Sequence, residues 1–332
     1  MRIAVPDLVT NSYFPALAAE ELGLYRAEGV DAHVDLLAPA LGAMAALKSG
    51  DVEFVVTGAH TTLTAFPGWQ GAKLAVAVAQ GTPWLLVLRS DVAAVRGDVG
   101  AVKGLRIGAA PGPDAALRRL LGEAGIDLER DKVHVARIPG AERPGVSFGV
   151  LAAEALESRQ IDGFWANALG SETAVRRGVG RIIVDVRRGD GPPGAGRFTF
   201  AALVTTEALI DRDPEAVAAV VRGIVSAQHR LREDPGRATE VGRRRFPPAA
   251  ADMIAALVER DLPFYDPVID EDAVRAMSEF SIALGLIQEK VPYNRVVATR
   301  FRDCWGVAPR GSAERRLNRR QPGRIWPGAS AP

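Results

Sequence analysis

The chain has 332 residues, 48% of them apolar and 24% charged, which allows two domains of ordinary size and excludes an intrinsically disordered chain. Its 41 Lys and Arg stand against 40 Asp and Glu, so no global field draws it onto nucleic acid or a lipid surface. The single cysteine, Cys304, excludes a disulfide framework, a cysteine zinc cluster and a CxxC redox centre.

The opening Arg2-Ile3-Ala4-Val5 is a β-type run ended by Pro6-Asp7. A helix follows, with Pro15 in its first turn and Gly23 where a left-handed C-terminal residue belongs. The arrangement returns at Arg106-Ile107-Gly108-Ala109, ended by Ala110-Pro111-Gly112, with Pro113 opening a helix that stops at Gly125. Second strands match at residues 31–36 and 132–137, placing His33 and His134 in equivalent positions. Third strands arrive after Leu47-Lys48-Ser49-Gly50-Asp51 and after Leu156-Glu157-Ser158-Arg159-Gln160-Ile161-Asp162. Two β-α-β-α-β halves predict parallel sheet covered on both faces, with right-handed crossovers.

Residues 73–79 and 83–88 read as further strands, the second running into Arg89-Ser90-Asp91. An apolar run at 181–186, a Gly/Pro loop at 189–196 and a strand at 197–206 follow. From residue 214 the pattern predicts helices over 214–232, 249–260, 270–286 and 292–305, with Asp213 and Asp270 as N-caps. Crossings near 89–91 and 195–204 divide the chain into a first lobe (1–90 and 195–305, with the C-terminal helices) and a second (91–194). Beyond Trp305, six arginines (Arg310, Arg315, Arg316, Arg319, Arg320 and Arg324) against Glu314 predict a disordered basic tail over 306–332.

Two motif matches lack their structural context. Gly189-Asp-Gly-Pro-Pro-Gly194 fits GxGxxG, but its prolines remove N–H donors and a strand rather than a helix follows. Gly145-Val-Ser147-Phe-Gly149 fits GxSxG, but a loop precedes it, so Ser147 reads as a helix N-cap. Four scattered histidines without HxH or HxxxH spacing predict no metal site, and no cofactor is expected.

In an open α/β sheet, ligands bind beyond the carboxyl ends of the strands. The first-lobe candidates are Asn11, Ser12 and Tyr13, then Thr57, Gly58, His60 and Thr61, then Gln80 and Thr82. In the second lobe they are Gly112 and Asp114, Ser147, and Trp165 and Asn167. Hydroxyls, amides and helix-start N–H groups suit a small anion, its body stacked on Tyr13 or Trp165. Tyr13 and Trp165 serve equally well as core aromatics, and Asn11 or Ser12 as plain helix caps.

These segments resemble the substrate-binding proteins of ABC importers in the nitrate, aliphatic-sulfonate and taurine group. That group shares its fold with thiamine-pyrimidine synthesis proteins. The resemblance rests on Asn11-Ser-Tyr-Phe-Pro-Ala-Leu-Ala-Ala-Glu-Glu-Leu-Gly-Leu-Tyr-Arg-Ala-Glu-Gly29, Leu47-Lys-Ser-Gly-Asp-Val-Glu53, Gly104-Leu-Arg-Ile-Gly108 and Ile161-Asp-Gly163, within roughly residues 1–305. It implies the two-lobed periplasmic-binding-protein type II fold, each lobe a mainly parallel sheet flanked by helices. It further implies a monomer that closes on a small-molecule anion and delivers it to an ABC permease, with no nucleic-acid partner.

The N-terminal MRIAVPDLVTNSYF has no signal-peptide apolar region. The expectation is therefore periplasmic if the true start lies upstream, and cytoplasmic as written. Cytoplasmic relatives of the fold include enzymes. A desulfinase-like reading is disfavoured because Cys304 lies near the end, and pyrimidine synthesis because its cysteine-rich motif is missing. An aromatic-acid decarboxylase using His60 as base stays open as the alternative.

Overall fold

The computed structural model describes residues 1–7, 10–141, 147–246 and 248–306. The predicted tail beyond 306 and most of the loop ahead of Ser147 lie outside them. Ten strands run along the chain: β1 (Arg2–Val5), β2 (His33–Leu36), β3 (Phe54–Gly58), β4 (Ala72–Ala79), β5 (Leu85–Arg89), β6 (Arg106–Ala109), β7 (His134–Ala136), β8 (Gly163–Ala166), β9 (Gly180–Asp185) and β10 (Ala201–Thr206). They form two five-stranded sheets, ordered β2-β1-β3-β10-β4 and β7-β6-β8-β5-β9. Helices flank both sheets, giving the two-lobed α/β architecture.

The internal duplication is exact in register. Arg2 pairs with His33 and Arg106 with His134, each in a parallel ladder. The Arg2 N–H donates to the Glu53 carboxylate (2.7 Å), and the Arg106 N–H to that of Asp162 (3.0 Å). The polar turn before each third strand thus pins the start of the first strand.

One strand in each sheet opposes the rest. β10 runs antiparallel to β3 and β4, and β5 antiparallel to β8 and β9. Topology explains the reversal. The chain leaves β4 and later β9 at their carboxyl ends, so it enters the other lobe from the cleft side and must run away from the cleft. β5 therefore belongs to the second sheet, not to a first lobe extending to residue 90. The first crossing lies between Ala79 and Leu85, and the return crossing between Asp185 and Ala201.

The helices Pro214–Glu233, Pro248–Asp261 and Glu271–Ala283 follow the predicted pattern, and the Asp213 and Asp270 side chains accept the cap N–H groups of Ala216 and Ala273. The predicted last helix does not form as such. A turn at Tyr293–Val296 gives way to extended Val297, which bridges Leu74, and then to the 3-10 turn Thr299–Cys304. The β-branched pair Val296-Val297 favours extended backbone, and β4 is an edge strand with groups left to pair. The Ala298 N–H donates to the Leu74 carbonyl (2.9 Å) and the Trp305 indole to that of Ala75 (3.0 Å), covering the edge. Among the described residues, no helix is long and apolar enough to cross a membrane.

Candidate functional site

Between β1 and the helix Phe14–Glu21, residues Asn11–Tyr13 form a 3-10 turn without a side-chain cap bond. Asn11 and Ser12 are buried and are not helix caps. The Asn11 side-chain amide donates to Asp261, and the Asn11 backbone carbonyl accepts from the Tyr265 hydroxyl (2.7 Å). Ser12 Oγ accepts from Arg187, whose guanidinium also reaches Asp261 (2.9 Å) and the Gly81 carbonyl (3.1 Å). Arg188 donates to Asp261 (2.6 Å) and Asp185 (2.8 Å). Both guanidinia lie over the Phe264 ring. Burial pushes the Asp261 carboxyl upward, but the Arg187 charge and the Arg188 hydrogen bond outweigh it and hold it below the usual range.

Tyr13 stands beside this cluster. Thr57 and Gly58, at the end of β3, lie near its hydroxyl. Burial, with help from the Asp7 carboxylate, pushes the phenol far above its ordinary value, so it stays neutral. Asn167, at the end of β8, reaches across from the second lobe. Its amide donates to Asp7 (3.0 Å) and Thr10 (3.2 Å), while its oxygen caps the helix Ala168–Arg176 at Gly170 N. Asn11, Ser12, Tyr13, Thr57, Gly58 and Asn167 therefore converge on the gap between the lobes.

His60, Gln80 and Thr82 form the hinge instead. His60 Nδ1 lies 2.9 Å from Thr199 Oγ1, and its ring meets Phe280 and Trp84 edge-on. Burial lowers its pKa to about 4, leaving it neutral. Thr82 stitches the crossings together, its N–H donating to Gly196 O (2.8 Å) and its hydroxyl to Ala195 O (2.9 Å). Gln80 is committed to the carbonyls of Asp266 and Val268.

The other candidates are dispersed. Thr61 lies inside the 3-10 turn after β3, its carbonyl taken by Thr64. Asp114 turns back on the Gly112 N–H in the loop after β6. Trp165 is wholly buried in the second lobe's core, 6.2 Å from Trp84. Ser147 occupies the N-cap position of the helix Phe148–Glu157, but its hydroxyl makes no cap bond. Gly149 of the same motif serves packing, because a side chain there would strike Gly170 of the helix Ala168–Arg176. The GxGxxG stretch is a crossing loop whose glycines all have positive φ.

Among the described residues, Ser147 Oγ after β7, Trp165 Nε1 near the end of β8 and Arg187 Nε after β9 are buried without a hydrogen-bond partner. The indole and guanidinium nitrogens can only donate. No group of His, Cys, Asp or Glu among the described residues is placed to hold a metal. Sequence reasoning missed Arg187, Arg188 and Asp261. The visible signal was a pair of arginines directly ahead of a Gly/Pro crossing loop.

Two lobes joined by two crossings, with polar side chains gathered between them, define the class of periplasmic-binding-protein folds. The chain belongs to the NMT1-like family, whose model matches residues 9–244. The periplasmic aliphatic sulphonate binding protein of Escherichia coli superposes with a TM-score of 0.68 at 12% identity, covering 100% of this chain and 97% of that one. The periplasmic nitrate-binding protein of Synechocystis PCC 6803 gives 0.66 at 14% identity over 91% and 87%. A desulfurization enzyme gives 0.63 at 18% identity over 90% and 97%. At these identities the likeness is one of fold. No curated protein matches the chain by sequence.

Proposed function

We propose that this chain is the solute-binding component of an ABC importer, working as a monomer outside the cytoplasmic membrane. It takes a small organic anion between its lobes and passes it to a membrane permease. The observation that carries this reading is that Ser147, Trp165 and Arg187, which end or follow β7, β8 and β9, each bury a polar atom without a partner among the described residues, two of them pure donors. An unsatisfied buried donor costs about 1–3 kcal/mol, which an acceptor-rich ligand would recover. Tyr13, Thr57, Gly58, Ser147, Trp165, Asn167 and Arg187 are the residues assigned to ligand. The hinge weighs against an enzyme, since His60 is a weak base with one ring nitrogen already engaged by Thr199.

A thermal-shift panel of alkanesulfonates, nitrate, aromatic carboxylates and pyrimidines tests the proposal. One chemical class should raise the melting temperature, because a ligand present at about 100 times its Kd stabilises the native state by about 2.7 kcal/mol. Absence of any shift, combined with turnover of an aromatic acid, would overturn it.

A further inference from the structure

We propose that Trp84, on the first crossing, is the surface on which the ligand's body rests, and that the ligand therefore carries a flat aromatic ring behind its acceptor-rich head. This rests on the solute-binding reading and narrows it. Trp84 directly precedes β5, and β5 runs antiparallel to β8, with Leu85 opposite Ala166. The indole thus stands at the carboxyl end of β8, the side on which an α/β sheet takes its ligands. It is half-buried there, whereas Trp165 is wholly buried.

Two rings flank Trp84, one from each lobe, and neither stacks flat on it. His60, in the turn after β3, stands at 81° to the indole with centroids 6.3 Å apart, and Trp165 is tilted by 48° at 6.2 Å. Phe198 and Phe280, farther along the same row of rings, do cover one another, at 5.0 Å and 5°. His60 joins the two pairs, since its ring also meets Phe280 at 5.2 Å. Offset stacking stabilises beyond the area it buries, because the electron-rich face of one ring lies against the electron-poor edge of the other. An aromatic ligand would give Trp84 the flat partner that no ring among the described residues supplies.

The backbone on either side of the indole is anchored. Two residues upstream, Thr82 donates its N–H to the Gly196 carbonyl (2.8 Å) and its hydroxyl to that of Ala195 (2.9 Å). Pro83 fixes the intervening φ, and Leu85 lies between Ala166 and Asp185 in two ladders. Trp84 is therefore carried where the two crossings are bonded together. A surface set in advance spends little binding energy on ordering itself. Beside it, Trp165 Nε1 is a buried donor without a partner among the described residues. The 6.2 Å between the two indoles suits a head bonded directly to its ring.

Calorimetric titration of ligand pairs that share head, charge and ring size tests this: benzenesulfonate against cyclohexanesulfonate, and benzoate against cyclohexanecarboxylate. The parent should bind the aromatic member of at least one pair about 2–12-fold more tightly, the equivalent of one aromatic stack. Trp84→Leu, folded by circular dichroism, keeps an apolar side chain without a ring and should bring that pair within about twofold, whereas Trp84→Phe should keep the preference. The indole N–H resonance of Trp84, assigned by its loss in Trp84→Phe, is a second measurement made on the parent itself. The aromatic member should move it by ring current, and its saturated counterpart should move it less. Equal or tighter binding of the saturated members overturns the inference while leaving solute binding intact. So does a Trp84 resonance unmoved at saturation, a folded Trp84→Leu that keeps the preference, or a chain that binds only ring-free anions. Binding of no member of either pair or of the thermal-shift panel overturns both readings.

Discussion

His60 offers the sharpest quantitative test of the hinge. Its ring is buried between Phe280 and Trp84, with Thr199 on Nδ1, and burial lowers its pKa from the ordinary 6.5 to about 4. The unfolded chain therefore binds a proton at this residue in a window, from about pH 6.5 down to about pH 4, where the native chain does not. Stability is fully retained above that window and falls as pH drops through it. At about 1.4 kcal/mol per unit, the gap is worth about 3 kcal/mol by the lower edge. Carboxylates also titrate at the lower end of that window, so the measurement is a difference. Urea unfolding of the parent and of His60→Gln should diverge by about 2–3 kcal/mol between about pH 7 and about pH 4.5, the parent losing more. Imidazole resonances give an independent reading. A His60 signal that titrates near 6.5, or parallel pH profiles for the two proteins, would refute a buried, neutral hinge histidine.

Three further outcomes follow from the packing and the charges. Gly170→Ala would drive a methyl into the Gly149 backbone where two second-lobe helices cross, and should lower stability by at least about 1–3 kcal/mol in a calorimetric scan. Asp162 is held far below the ordinary carboxylate range, first by the Arg106 hydrogen bonds and, against some burial, also by Arg89. Its contribution is present above the ordinary aspartate value and is lost as pH falls through the lower, folded one. Asp162→Asn should cost about 1 kcal/mol at neutral pH, measured by urea midpoint, and flatten the acid limb of the stability profile. Tyr13→Phe removes a neutral hydroxyl from the gap beside Thr57 and Gly58. It should weaken binding of whichever panel member stabilises the parent by about 5–10-fold, read by calorimetric titration, while leaving the ligand-free melting temperature within about 2 °C.

Much of the scaffold could be read from local pattern. The repeated strand, proline and helix-ending glycine at residues 2–23 and 106–125 have a short-range physical cause, and the register Arg2–His33 and Arg106–His134 follows from them. Even the pinning of Arg2 by Glu53 and of Arg106 by Asp162 sits on the polar turns that the sequence displayed. Sheet membership of β5 was not legible in the same way. An apolar run declares that it will be buried, but not which of two sheets it joins, and the reversal at the crossing is a property of chain path rather than of composition. The last segment misled for a related reason. Helical spacing at 292–305 competed with an unpaired edge on β4, and the edge prevailed at Val297.

The candidate site divides along the same line. Residues at strand ends, such as Tyr13, Thr57 and Asn167, were within reach of a rule about where α/β sheets bind. The groups that join them were not, because Asp261 lies 250 residues from Asn11 and 74 from Arg187. No periodicity links positions so far apart, and an aspartate at a helix end ordinarily signals nothing more than a solvated terminus. Yet that carboxylate, with Arg187, ties the turn Asn11–Tyr13, Gly81 of the first crossing and the segment after β9 into one buried unit. A near-zero net charge over the whole chain conceals this, since the charges that matter are matched pairwise and removed from solvent. The recognisable fold thus supplies two lobes and a gap, whereas the ion pairs that join Asp261 to Arg187 and Arg188 come from long-range contacts that no local pattern displays.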